Sequence, residues 1–160
     1  MTIPLPNPSL NPLLGQAMTH RFGVFFFARG VTPNPLDIRF QEVSGLHASI
    51  KTRDDPTAAA SLNQKKIPSG INYEALELKR GMVLGSPLRL QIQTAFNDFA
   101  FIRSDVLLTI YSETALPTTA FLFSEALPIS WQIRNLDAKS EEFLIETLRL
   151  TYTRMRVLSL

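Results

Sequence analysis

The chain has 160 residues, 45% hydrophobic and 19% charged, which suits one domain with one apolar core and excludes a disordered or fibrous polypeptide. Sixteen Lys+Arg stand against fourteen Asp+Glu, a formal charge of +2; the bases gather only as Lys65-Lys66, Lys79-Arg80 and the spaced Arg149, Arg154 and Arg156, too sparse for a stripe that tracks a phosphate backbone. Having no cysteine, the chain cannot be a disulfide scaffold, a thiol enzyme or a cysteine-ligated metal protein.

Pro4, Pro6, Pro8 and Pro12 fix φ and remove amide donors, which predicts an extended arm over residues 1–19 and a folded domain over 20–160. The arm has no basic residue before His20 and no uninterrupted apolar run, so it does not read as a secretory signal. No segment approaches the ~20 apolar residues of a membrane helix. The expectation is synthesis in the cytoplasm and no membrane insertion by this chain.

From His20 to Arg29 the aromatic run HRFGVFFFAR predicts a strand buried on both faces. After the turn GVTPNP, the stretch LDIRFQEV places Leu36, Ile38 and Phe40 on one face and Asp37, Arg39 and Gln41 on the other, a second strand. It slips near Glu42-Val43, and Ser44-Gly45-Leu46 reads as a kink that re-aims it. Residues Thr52 to Ser69, TRDDPTAAASLNQKKIPS, lack periodicity and are long for a passive connection, which marks a functional loop.

INYEALELKRG resumes as a strand with a second slip near Ala75. Ser86 as N-cap, Pro87 at the first helical position and a stripe of Leu88, Ile92, Ala95, Phe96 and Phe99 predict one amphipathic helix. DVLLTIYSE and TAFLFSEALPISWQI read as strands joined by a turn at Leu116-Pro117. The last stretch puts Leu144, Leu148, Leu150 and Tyr152 on one face and Thr147, Arg149, Thr151 and Thr153 on the other. The sum is about six strands and one helix: mainly β, an antiparallel β-sandwich or barrel with a flanking α-helix.

Catalytic signals are missing. His20 and His47 have no second ligand at metal spacing, so no metal is expected. VSGL and LGSPL are not a nucleophile elbow, and no glycine-rich loop cradles a phosphate or a dinucleotide; no cofactor is expected. The acid pairs Asp54-Asp55 and Glu141-Glu142 point apart or into water, which leaves a hydrolase built on Asp54, Asp55 or Glu142 without partner groups. A different class of reading is a monomeric β-barrel that binds a small ligand, with Trp131 and Tyr73 in its mouth.

Three anchors then occur in one order: FQEVSGL at Phe40 to Leu46, LELKRG at Leu76 to Gly81, and a closing run ALPISW (Ala126 to Trp131), LDAKSEE (Leu136 to Glu142) and IETLRL (Ile145 to Leu150). Together they resemble the tail tube protein family of contractile phages and phage-derived contractile injection systems, over roughly Arg21 to Tyr152. The resemblance implies a ring-forming tail-tube fold with no enzymatic activity: six copies join their sheets, and rings stack into a hollow inner tube. Implied partners are further copies, adjacent rings, sheath and baseplate or spike proteins, and an effector or DNA cargo in the lumen. Implied location is a phage tail or an injection particle.

On that resemblance the inter-ring contacts fall on Thr52, Arg53, Asp54, Asp55, Asn63, Gln64, Lys65 and Lys66. The kinked strand at Ser44, Gly45 and Leu46 builds the wall, and Arg39, Thr147, Arg149, Thr151 and Thr153 face the lumen. The helix lacks the tryptophan-rich opening of many tube subunits, the loop lacks their glycine-rich stretch, and the proline arm is longer than usual. These departures leave two positions open, the bulk tube or the ring that starts it at the baseplate.

Overall fold

A computed structural model describes residues 21–28, 33–58, 62 and 65–159; the arm, His20, Asn63 and Gln64 lie outside them. The described residues form nine antiparallel strands and one helix: β1 (Phe22–Ala28), β2 (Glu42–Ser44), β3 (Ala48–Asp54), β4 (Lys66–Tyr73), β5 (Leu76–Gly81), α1 (Pro87–Asn97), β6 (Ser104–Tyr111), β7 (Pro117–Ile133), β8 (Ile145–Thr151) and β9 (Arg154–Ser159).

Seven strands share one hydrogen-bonded path, β1-β6-β7-β8-β5-β2, with β9 also on β7, while among the described residues β3 and β4 pair only with each other. The path divides at β7. Its first part, Thr119 to Ser124, lies between β6 and β9; its second, Leu127 to Ile133, pairs with β8. Glu125 marks the corner: it adopts φ 53°, and its amide donates to Asp105 Oδ1 at 2.9 Å. A left-handed conformation at a residue other than glycine is strained and persists where such local bonds hold it. Thr153 donates from both its amide and its hydroxyl to the Ser124 carbonyl on the adjacent strand.

The corner turns the two parts of the path toward each other, because one apolar cluster joins Val24, Val106, Leu108 and Phe123 to Leu76, Leu78, Leu148 and Leu150. Leu88 and Ile92 of α1 join the same cluster, each contributing about 2 kcal/mol through burial. Phe123 and Tyr73 both pack on the Tyr152 ring, at 4.8 and 5.6 Å between centroids. Burial raises the Tyr152 phenol above its ordinary pKa, helped by charge at Tyr73 and Glu74. The helix begins as its sequence predicts, with Ser86 Oγ accepting from the Arg89 amide and Pro87 at its first position.

Several expectations need correction. Among the described residues the first strand is an edge strand, paired only with β6 and with Phe27 exposed, so it is not buried on both faces. Leu36 to Phe40 do not form a strand: Pro35–Asp37 is a 3-10 turn capped by Asn34, whose side chain accepts from the Leu36 amide, and Asp37 is buried. Much of the long polar loop is paired, with Thr52 opposite Pro68, Arg53 opposite Ile67 and Asp54 opposite Lys66. Phe96 and Phe99 lie exposed off the buried helical stripe. The final stretch is two strands, interrupted at Tyr152-Thr153.

Candidate functional site

Arg80 ties β5, β8, the 3-10 turn and α1 into one buried cluster. Its Nε donates to Glu146 Oε1 at 2.7 Å, its Nη1 to Asp37 Oδ1 at 2.8 Å and its Nη2 to Ser86 Oγ at 3.0 Å. All four residues are buried. The second oxygen of Glu146 accepts the Trp131 indole N–H at 3.1 Å, and that of Asp37 accepts the Leu88 amide at the start of α1 at 3.0 Å. A carboxylate at a helix N-terminus is favoured by the exposed amides and the helix dipole. The guanidinium also sits 5.2 Å from the Phe40 ring centroid, a cation–π contact.

Arg80, Glu146, Trp131 and Phe40 come from the anchors of the sequence resemblance, so those anchors mark a structural clamp. Sequence reasoning grouped Arg80 with surface bases and passed over Asp37 and Glu146. The signal was parity: Arg80 shares the buried alternation of Leu76 and Leu78, Glu146 that of Leu148 and Leu150, and the two are cross-strand partners. The ligand-binding reading loses its mouth here, because Trp131 is tied to Glu146 and Tyr73 packs on Tyr152.

Gly45 ends β2 and starts the departure of the β3–β4 hairpin. It adopts φ +81°, and a Cβ there would fall 2.0 Å from the Ala75 carbonyl oxygen. The two legs of the hairpin therefore cross at glycine because only glycine permits both the angle and the approach. The Glu74 amide donates to the His47 carbonyl at 3.1 Å, and His47 Nδ1 lies 3.0 Å from Glu74 Oε1.

Beyond this crossing every residue of β3 is exposed. Ile50 and Ile71 are direct cross-strand partners and remain 67% and 56% exposed. A two-stranded hairpin alone in water is marginally stable, and exposed apolar partners on it mark a surface that another molecule covers. At its far end Asp54 pairs with Lys66, and the Asp55 amide donates to the Lys65 carbonyl. The Thr57 hydroxyl and amide hold the Asp55 carboxyl below its ordinary pKa. Thus Thr52, Arg53, Asp54, Asp55, Lys65 and Lys66 share one projecting hairpin.

The face of β2, β5 and β8 turned away from the core is polar. Glu42 and Glu77 lie within 3.2 and 3.9 Å of Lys79, and Glu77 lies 3.7 Å from Arg149. Thr147 and Arg149 share this face with Ser130 and Gln132. Thr151 follows at the exposed end of β8, Thr153 sits in the break before β9, and Arg39 is exposed ahead of β2. Three of the five residues expected at a lumen, Thr147, Arg149 and Thr151, are thus on one strand face, and Thr153 and Arg39 lie outside β8.

Among the described residues no group of three His, Cys, Asp or Glu side chains could hold a metal. Glu142 pairs with Arg134 at 3.5 Å in an exposed loop, and Asp54 and Asp55 are engaged as above. These acids are not brought together. No helix is long and apolar enough to cross a membrane among these residues.

A chain in the cryo-EM structure of the anti-feeding prophage (AFP) baseplate, 6-fold symmetrised, is 35% identical, with TM-score 0.79 over 90% of this chain and 96% of that one. A chain of an extracellular contractile injection system, in the PVC sheath–tube complex in the extended state, is 19% identical, with TM-score 0.74 over 96% and 99%. A chain of the AFP tube terminating cap is 21% identical, with TM-score 0.70 over 100% and 97%. The last two likenesses establish the shared fold. Curated protein sequences give no match. Residues 18–156 match the model of the family described as T4-like virus tail tube protein gp19, and with that match over most of its length the chain belongs to this tail tube protein family.

Proposed function

We propose that this protein is a structural subunit of the inner tube of a contractile injection system, closing six-membered rings and occupying the ring next to the baseplate. The observation that carries the position is the 35% identity to a chain of the 6-fold symmetrised AFP baseplate across 96% of that chain. The bulk tube is the second reading, supported by the full-length likeness to the PVC sheath–tube chain. In both, the partners are other copies, an adjacent ring, sheath and baseplate or spike proteins, and a passing cargo. The role needs no catalytic group.

The free edges favour ring closure. Among the described residues β1, β2 and β9 each pair with one strand only, and an unpaired edge is a liability that closure removes. The polar face bearing Thr147, Arg149 and Thr151 becomes the wall of the lumen, with Arg39 and Thr153 at its rims. The β3–β4 hairpin becomes the grip on the next ring, and Ser44-Gly45-Leu46 the joint where wall and grip separate.

Electron microscopy of particles purified through a tagged copy tests the reading. Label confined to the baseplate end of sheathed tubes is the expected result, label along the whole tube would move the protein to the bulk position, and a lone monomer without any assembly would overturn the proposal. Among the described residues, those between 54 and 63 bury no core side chain, which makes a deletion of 54–63 a test of the grip. The variant is expected to keep the unfolding free energy of the parent within about 1 kcal/mol while losing ring stacking in micrographs. Full-length tubes from the variant would remove the grip from this segment.

A further inference from the structure

The polar face of β2, β5, β8 and the second part of β7 is compensated charge by charge. Register places Glu42, Lys79, Thr147 and Gln132 in one row across the four strands and Ser44, Glu77, Arg149 and Ser130 in the next. Each row holds one carboxylate and one cation, and the distances pair them within and between rows: Glu42 with Lys79 at 3.2 Å, Glu77 with Arg149 at 3.7 Å and with Lys79 at 3.9 Å. The other four positions are neutral hydroxyl or amide side chains. No aromatic ring stands in either row.

The balance is local to this face. On the hairpin, Lys51, Arg53, Lys65 and Lys66 stand against Asp54 and Asp55 only, so the chain tolerates uncompensated charge elsewhere. In a ring of six, one unpaired charge on the wall would become six facing a common axis, and stacking would repeat them along the tube. Compensation within each subunit removes that field from these two rows.

We propose that this face is a charge-compensated wall that holds neither a polyanionic nor a polycationic cargo; the proposal rests on the reading of the face as the lumen of a tube. A nucleic acid carries one sign of charge throughout and passes a uniformly negative wall by repulsion. A polypeptide carries both signs along its length, and a wall of either net sign holds some part of it. The two rows offer no free cation for phosphate and no ring on which a base could stack, the two contacts that hold single-stranded nucleic acid. They offer no bare carboxylate for a basic segment either.

The test uses assembled particles and two probes, a fluorescent single-stranded oligonucleotide and a fluorescent oligolysine. Parent particles are expected to retain neither in their lumen. Glu42→Gln with Glu77→Gln uncovers Lys79 and Arg149 and is expected to raise oligonucleotide retention by at least about tenfold at low salt, with the gain lost as salt rises. Lys79→Gln with Arg149→Gln is expected to do the same for oligolysine. Each exposed pair contributes only about 0–1 kcal/mol, so both variants still fold.

Because the chain lacks cysteine, Thr147→Cys reports the location separately: in assembled tubes it should react with a small maleimide and resist one carrying a bulky polymer. With Thr147→Cys so protected, parent particles that retain the oligonucleotide as tightly as the acid-stripped variant would overturn the compensated wall and leave the tube reading standing. A residue 147 equally open to the bulky reagent would overturn the placement of the face and the proposal with it.

Discussion

Arg80→Met is expected to lower folding stability by about 3–5 kcal/mol, the usual consequence of removing one partner of a buried ion pair. The substitution keeps most of the side-chain volume but leaves Asp37 and Glu146 buried, each still held by one other donor, the Leu88 amide and the Trp131 indole N–H. Two carboxylates without their cation cannot both remain charged in the core at low free energy. The urea midpoint, read by the fluorescence of the single tryptophan, should fall with little change in slope. Adding Asp37→Asn and Glu146→Gln should restore part of the loss, because amides keep some hydrogen bonding without the charge. A midpoint unchanged in Arg80→Met would mean that the clamp does not hold α1 to the sheet.

Gly45→Val is the second large effect. A left-handed backbone costs a β-branched residue about 1–3 kcal/mol on its own. Here the new Cβ would also fall 2.0 Å from the Ala75 carbonyl oxygen, which is backbone and cannot swing away. Either β2 leaves its pairing with β5 or the two legs of the hairpin move apart. The total expected loss is about 3 kcal/mol or more. Ser44→Ala, one residue earlier on β2, should cost under about 1 kcal/mol. Thermal unfolding of the two variants side by side reads the difference; equal midpoints would mean that the crossing at Gly45 is loosely held.

Local chemistry was legible in the sequence wherever one element decided it alone. The helix start follows from Ser86 and Pro87, and the break at Gly45 from a glycine between two alternating runs. The faces of β8 follow from parity, and the polar face carrying Thr147 and Arg149 was separable from the apolar one. The family pattern was legible too, although its anchors proved to be clamp residues such as Arg80 and Glu146.

What stayed hidden depended on partners far along the chain. Leu36 to Phe40 alternate like a strand, but Asp37 is drawn into the core by Arg80, 43 residues later, and the backbone turns to deliver it. The hairpin looked like a loop because β3 is exposed on both faces and so has no apolar period. Phe96 and Phe99 continue the helical stripe in sequence but lie beyond the covered surface. Single-strand reading also missed the wall's compensation, since Glu42, Lys79, Glu77 and Arg149 meet only across strands.

β7 runs unbroken for 17 residues through both parts of the path, and β8 and β9 lie end to end along it. Mechanically, the two layers are then joined by covalent backbone rather than by side-chain adhesion alone. A pull along β7 loads its ladders in shear, where many hydrogen bonds must yield together, instead of peeling them one at a time. A subunit wired this way carries axial thrust as a single stiff part, and its weakest link under load lies at its borders with neighbours.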